Sequence, residues 1–390
     1  MRKAAREENS NKKKRKNLFE IKVNIDKKKV MTLIVCALVV ISIIAINNYT
    51  ALGLVLNKTI DSDDAVQIEL QTSNNQIIPF NNEILVYNKG KIVFYDNYGR
   101  QTGTITLDDT IEANIQTKGK YIQVINKDKN VVYLYKNQYE NARIKIDGEI
   151  CSGIVNTDGT SVIEYKYNGN KIALAVYDKS GVMKYNVKSA SKIIGNYTIS
   201  NNSKYLAYVD VNIDGISAYT KINLIDLKNI KEDAENYKTI CDFESSLVFD
   251  MYWNGNKLIA RSDEEFAIYN VSSQKLDRMD ISEDTVVEIG NYENRFAYTK
   301  IDEQGKYELC IKKMLSDSFK EVALEDVPKY YIYENGVSYV CYHKKIVMYN
   351  NLGIKIKEYD SDMVVTRPIV FNEGTSAAMI VSNKLIMFNI

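Results

Sequence analysis

From Ile92 to Gly99 the chain reads IVFYDNYG, an apolar run that ends in tyrosine and aspartate and then turns at a glycine. The unit returns as VVYLYKN (Val131 to Asn137), LAVYDKSG (Leu174 to Gly181) and INLIDLKN (Ile222 to Asn229). Further on it reads FAIYNVSS (Phe266 to Ser273), ELCIKKM (Glu308 to Met314), IVMYNNLG (Ile346 to Gly353) and LIMFNI (Leu385 to Ile390). With Tyr95, Tyr135, Tyr177, Ile225, Tyr269, Ile311, Tyr349 and Phe388 as anchors, the spacings are 40, 42, 48, 44, 42, 38 and 39 residues. Short runs rich in Tyr, Ile and Val, broken by Asn-Gly, Asp-Gly and Lys-Gly, are hairpin-linked strands. A strand-rich repeat of this period is the sequence signature of an all-β fold, a β-propeller with four antiparallel strands to a blade. The eight anchors predict eight blades, with seven as the alternative count.

Turn chemistry parses the blades. In the third unit the inner strand ends at Asp158-Gly159 and the second at Asn168-Gly169. Its third strand runs from Lys171 to Tyr177, and Val182 to Val187 is the outer strand. Equivalent first turns fall at Lys118-Gly119, Asn254-Gly255, Asn335-Gly336 and Glu373-Gly374, where tight hairpins need a positive φ. The 48-residue interval is assigned to a polar insertion, Asn229 to Asn236, read as a surface loop. The last unit stops after a third strand, so the alternating segment Ala65 to Gln71 (AVQIELQ) is expected to pair with it and close the ring, removing an open sheet edge.

The 390 residues carry 51 basic and 50 acidic side chains, but this balance averages two unlike parts. Residues 1–29 hold 12 Lys/Arg against 4 Asp/Glu, residues 30–46 hold no charge, and the remainder is mildly acidic at −7. Val30 to Ile46 (VMTLIVCALVVISIIAI) is about 25 Å long as a helix, the short end of a bilayer core. Lys27, Lys28 and Lys29 bound it on one side, and the basic flank places residues 1–29 in the cytoplasm by the positive-inside rule. The expected layout is a cytoplasmic tail (1–29), one uncleaved transmembrane helix (30–46), a juxtamembrane linker (47–63) and an extracytoplasmic propeller (64–390) at the plasma membrane. A cleaved signal peptide fits less well, because Ala51-Leu52-Gly53 is a poor cleavage site and the basic region is long. Lys12 to Lys16 (KKKRK) then reads as a topogenic, lipid-facing run rather than a nucleic-acid patch.

Several chemistries are disfavoured. A mildly acidic globule does not suit phosphate backbones, so no nucleic-acid partner is expected. One histidine, His343, is too few for a His-cluster metal site; it sits in a basic turn between second and third strands and faces solvent. Cys151, Cys241, Cys310 and Cys341 are scattered without metal spacing and read as buried thiols, while Cys36 falls in the span. Asp96 and Asp158-Gly159 are turn formers, not calcium loops. Trp253, the single tryptophan, suits packing between blades better than ligand stacking, and the anchor tyrosines are core amphiphiles. No serine elbow and no P-loop occurs, so no catalytic, cofactor-binding or metal-binding residue is assigned.

The second-strand segments carry a resemblance. Ile199 to Val209 (ISNNSKYLAYV), Thr157 to Tyr165 (TDGTSVIEY), Tyr252 to Ser262 (YWNGNKLIARS) and Asn291 to Lys300 (NYENRFAYTK) resemble the S-x-D-G-x-x-L-A-F/Y motif of TolB-like propeller repeats. The motif's proline is absent, and its Asp and Gly occur together only at Asp158-Gly159. The whole layout looks like the uncharacterised membrane-anchored propeller proteins of Gram-positive bacteria, with TolB-like or WD40-like repeats. The WD dipeptide itself is missing, as are the signatures of quinoprotein, sialidase and kelch blades. The resemblance implies a fold and a location and brings no catalytic residues.

Function is therefore expected to be binding: a membrane-tethered propeller that scaffolds an extracytoplasmic protein or cell-envelope ligand, without cofactor. The alternative is an envelope glycan- or peptide-processing enzyme in which inner-strand carboxylates such as Glu112, Asp250 and Glu288 meet at the central channel.

Overall fold

A computed structural model describes residues 56–60, 65–70, 75–88, 90–107, 113–169, 171–188, 193–214, 217–230, 236–243, 246–281, 285–292, 295–313, 319–381 and 383–389. These residues build eight antiparallel blades, at 76–106, 113–145, 149–188, 193–243, 250–280, 285–323, 330–361 and 369–389. In each blade four strands follow one another outward, so the first strand is innermost and adjacent first strands face each other around the ring. The third blade follows its turns closely, with strands Glu149–Val155, Ser161–Tyr167, Lys171–Tyr177 and Met183–Lys188.

Blade eight has only three strands of its own, Ile369–Phe371, Ser376–Val381 and Lys384–Asn389. Its fourth is Val66–Glu69, antiparallel to Lys384–Asn389, with Val66 opposite Met387 and Ile68 opposite Leu385. The closure expected from AVQIELQ is thus the one observed. A fifth strand lies within the segment read as linker: Leu56–Ile60 pairs in parallel with Lys355–Ser361 on the outside of blade seven.

Middle strands read as nearly continuous apolar runs because both of their faces are covered. In Glu83–Asn88, Ile84 and Val86 point into the core shared with blade eight, whereas Leu85 and Tyr87 point into the core shared with blade two. The same division recurs around the ring and gives an apolar cluster at each of the eight blade interfaces, with a second, smaller one between blades two and three. Each fully buried Ile, Leu or Phe in them contributes about 1.5–3 kcal/mol. Outer strands keep the half-buried pattern: in Gln101–Thr106 only Ile105 is buried.

The 48-residue interval has a different cause from the one expected. Blade four carries an elongated hairpin, Tyr205–Asp214 and Ser217–Asp226, of ten residues a strand, which lengthens the path to Ile225. The Asn229 to Asn236 segment follows that anchor, and residues 231–235 of it lie outside the described residues. Cys241, Cys310 and Cys341 are buried as expected, but Cys151 is half-exposed, at a bulge between Ile150 and Ser152 that turns it off the regular pleat. No disulfide joins these four. Among the described residues no helix is long and apolar enough to cross a membrane; the run expected to do so, residues 30–46, lies outside them.

Candidate interaction faces

Strand direction sorts every connection onto one of two faces. Turns joining first to second and third to fourth strands lie on one side, the turn face. Turns joining second to third strands, and the links between blades, lie on the other, the connection face.

On the turn face, the aspartate or asparagine that closes the repeat caps its own turn. Asp96 Oδ1 accepts the N–H groups of Tyr98 and Arg100, both at 2.9 Å. Asp178 Oδ1 accepts those of Ser180 and Val182 at 2.9 and 3.0 Å, and Asn350 Oδ1 those of Leu352 and Ile354 at the same distances. A short side chain that satisfies two turn N–H groups holds the loop rigid without burying it. The tips are apolar and exposed: Tyr98, Tyr139, Val182 and Leu352.

First turns are stitched across blades. Asn156 Nδ2 donates to Ser200 O at 2.8 Å and to Ser203 Oγ at 2.7 Å, while Ser203 Oγ donates to Asp158 Oδ1 at 2.9 Å. The two first turns thus supply a polar seam between blades three and four. At the axis, first turns of blades seven, eight, one and two frame a cavity of about 320 Å³ that includes Lys118, Glu334 and Glu373. Burial pushes the Glu334 carboxyl up, and the charge of Lys118 partly offsets it.

The connection face is where His343 sits, exposed, its carbonyl accepting the Val365 N–H at 2.8 Å. Nearby loops carry acid: Asp263 and Glu264 in blade five, Glu325 and Asp326 before blade seven. The link into blade five exposes Leu247 and Phe249. Phe249 is fixed at both ends of its peptide, since its N–H donates to Arg261 O at 2.8 Å and its carbonyl accepts Asn196 Nδ2 at 2.6 Å. The Arg261 guanidinium lies over the ring at 5.6 Å and binds Asp250 Oδ2 at 2.7 Å.

Of the expected carboxylate trio, only Asp250 has a described side chain. Asp250 is on an inner strand, taken up by Arg261. Glu288 lies in the inner strand Thr285–Tyr292 opposite Thr299, with its side chain outside the described set, and Glu112 is outside it altogether. Sequence reading missed a different polar cluster. Ser152 Oγ donates to Glu164 Oε2 at 2.6 Å and lies 2.6 Å from the Tyr197 hydroxyl, which therefore donates to it. Burial raises both the Glu164 carboxyl and the Tyr197 phenol, against the pull of the serine contact. The three come from two inner strands and one second strand, a proximity with no linear signal. Trp253 is 7% exposed and stacks on Tyr205 at 6.1 Å inside the core between blades four and five, so packing is its role.

Comparison with known proteins agrees with this architecture. A family model matches residues 57–388, and the chain belongs to that family of unknown function, DUF5711. No curated protein matches it. Among solved structures it is similar to the C-terminal WD40 domain of Sif2 (10% identity, TM-score 0.56), covering 87% of this chain and 99% of that one. It is also similar to the WD40 domain of SCAP from fission yeast (8% identity, TM-score 0.53), covering 86% and 97%. The tricorn protease matches at 14% identity and TM-score 0.50 over 74% of this chain, but only 34% of the protease. At these identities the likeness is one of fold: a WD40-like β-propeller.

Proposed function

We propose that the protein is a non-enzymatic, membrane-tethered scaffold whose connection face binds a protein partner outside the cytoplasm. The observation that carries this is Phe249. Its peptide is pinned on both sides, its ring is exposed, and an arginine stacks over it. A rigid aromatic beside a guanidinium is the composition of an interface hot spot, because binding it orders nothing further. Asp263 and Glu264 in a loop of blade five on the same face favour a partner with a basic, partly apolar surface. Likeness to WD40 domains supports binding over catalysis only at the level of fold. Tethering rests on the uncharged run at residues 30–46 and its basic flank.

The test is crosslinking of the full-length chain in cells, followed by mass spectrometry against a control carrying residues 1–55 alone. A reproducible protein partner, lost on Phe249→Ala while thermal stability is kept, is the expected result. A partner set identical to that of the control overturns the reading.

A further inference from the structure

We infer that the turn face lies against the lipid surface, so that the connection face is presented away from the membrane. The inference rests on the tethered reading above and adds an orientation to it.

Where the chain enters the propeller comes first. Leu56–Ile60 runs parallel to Lys355–Ser361, which starts directly after the turn at Asn350–Gly353, and Leu56 is level with Lys357. The described chain therefore begins toward the turn face. Only nine residues, 47–55, separate Leu56 from the uncharged run, a reach of at most about 30 Å.

The rim on that side has the chemistry of a bilayer interface. Third-to-fourth turns of blades one, two, three and seven expose Tyr98 (66%), Tyr139 (79%), Val182, Met183 and Leu352. They run round half of the rim, from blade seven, which carries the added strand, past blades one and two to blade three on the far side of the ring. Basic side chains sit among them: Lys136, Lys179 and Arg100, which stacks over Tyr98 at 5.2 Å and pairs with Asp96. Tyrosine bodies with basic neighbours settle at the headgroup level, and basic groups near an anionic leaflet strengthen the attachment. The capped turns keep these tips extended without a partner, so docking costs little ordering.

Charge argues for the same orientation. Asp263, Glu264, Glu325, Asp326 and Asp362 lie in loops of the connection face and outnumber Lys329, Lys344 and Arg367 there, although Glu325 is paired with Lys345. An anionic leaflet is the less favourable neighbour for that face.

The experiment uses the full chain reconstituted in vesicles of phosphatidylcholine and phosphatidylglycerol. Benzoylphenylalanine replaces Tyr139 or Met183 on the turn face, and Ile213 or Val327 on the connection face. Irradiation is expected to give roughly tenfold more lipid adduct at Tyr139 and Met183 than at the other two. Tyr98→Asp with Leu352→Asp is expected to lower the adduct at Met183 several-fold while the melting temperature stays. Equal adducts on both faces, or more on the connection face, overturn the orientation. Protein adducts at Tyr139 in intact cells overturn it too, and give the rim to a protein partner. Alkaline carbonate extraction separates the two levels: a chain released by it has lost the tether, whereas a retained chain with the wrong adduct pattern has lost only the orientation.

Discussion

Gly99 is packed against Val66 so closely that a Cβ on the glycine would overlap the valine Cγ1. The contact joins the capped turn of blade one to the strand that completes blade eight. Both halves of the molecule's seam therefore depend on a residue with no side chain.

Gly99→Ala is expected to destabilise twice over, through φ of +77° and through the clash with Val66. Gly169→Ala isolates the first effect, since φ is +87° there but no atom lies within 4 Å of the new Cβ. Urea unfolding should give about 1 kcal/mol for Gly169→Ala and at least about twice that for Gly99→Ala. Equal costs would mean that the seam relaxes around the added methyl.

Ring closure gives a second expectation. Ile68→Pro inserts a residue without an N–H into the edge strand opposite Leu385 and should cost about 1–3 kcal/mol through the lost ladder hydrogen bond. Unfolding followed by circular dichroism would detect it. Wild-type stability would show that the fourth strand of blade eight is dispensable.

Trp253 offers an intrinsic probe of the interface between blades four and five. Trp253→Ala should cost about 3–5 kcal/mol, while Trp253→Phe should cost much less, because the indole Nε1 has no acceptor among the described residues. In the native protein its emission should be blue-shifted and resist iodide; easy quenching would place the ring in solvent.

Two carboxylates tilt the pH profile in opposite senses. Lys184, then the Ser180 hydroxyl and the turn N–H groups, hold Asp178 well below the usual 3.8. Its stabilisation is present above that value and is lost as the pH falls toward the folded-state value. Glu164 is raised above the usual 4.5 by burial, so its contribution is complete below 4.5 and is lost as the pH rises through the folded-state value. Asp178→Asn should flatten the acid limb of melting temperature against pH, by less than about 1 kcal/mol for so exposed a pair. Glu164→Gln should raise stability at pH 7 relative to pH 4; the opposite order would show that the carboxylate form is the one stabilised.

Blade number, ring closure and turn positions were legible because they rest on local rules. Asp96 must cap its own turn, and the repeat at Tyr95, Tyr135 and Tyr177 counts the blades directly. The added strand at Leu56–Ile60 was not legible, since LNKTI lacks alternation and its pairing with Lys355–Ser361 is remote. The Ser152, Glu164 and Tyr197 cluster was hidden for a related reason: Glu164 arrives from a second strand and Tyr197 from the neighbouring blade. The grip on Phe249 combines Asn196 and Arg261 from two blades, a meeting that ring geometry creates and linear spacing does not record.

The pairing of Val66–Glu69 with Lys384–Asn389 also sets a timetable. During synthesis the early strand of blade eight emerges long before its partners, and the first and the newest blade of the growing arc each lack a finished neighbour on one side. The open arc exposes the apolar faces of its two end blades until the final strand leaves the ribosome, and such surface invites association with other chains. A nascent chain passed across a membrane as an extended thread would meet no completed ring on the way. Synthesis in a compartment without such passage would leave the arc exposed to its neighbours for the whole time of elongation.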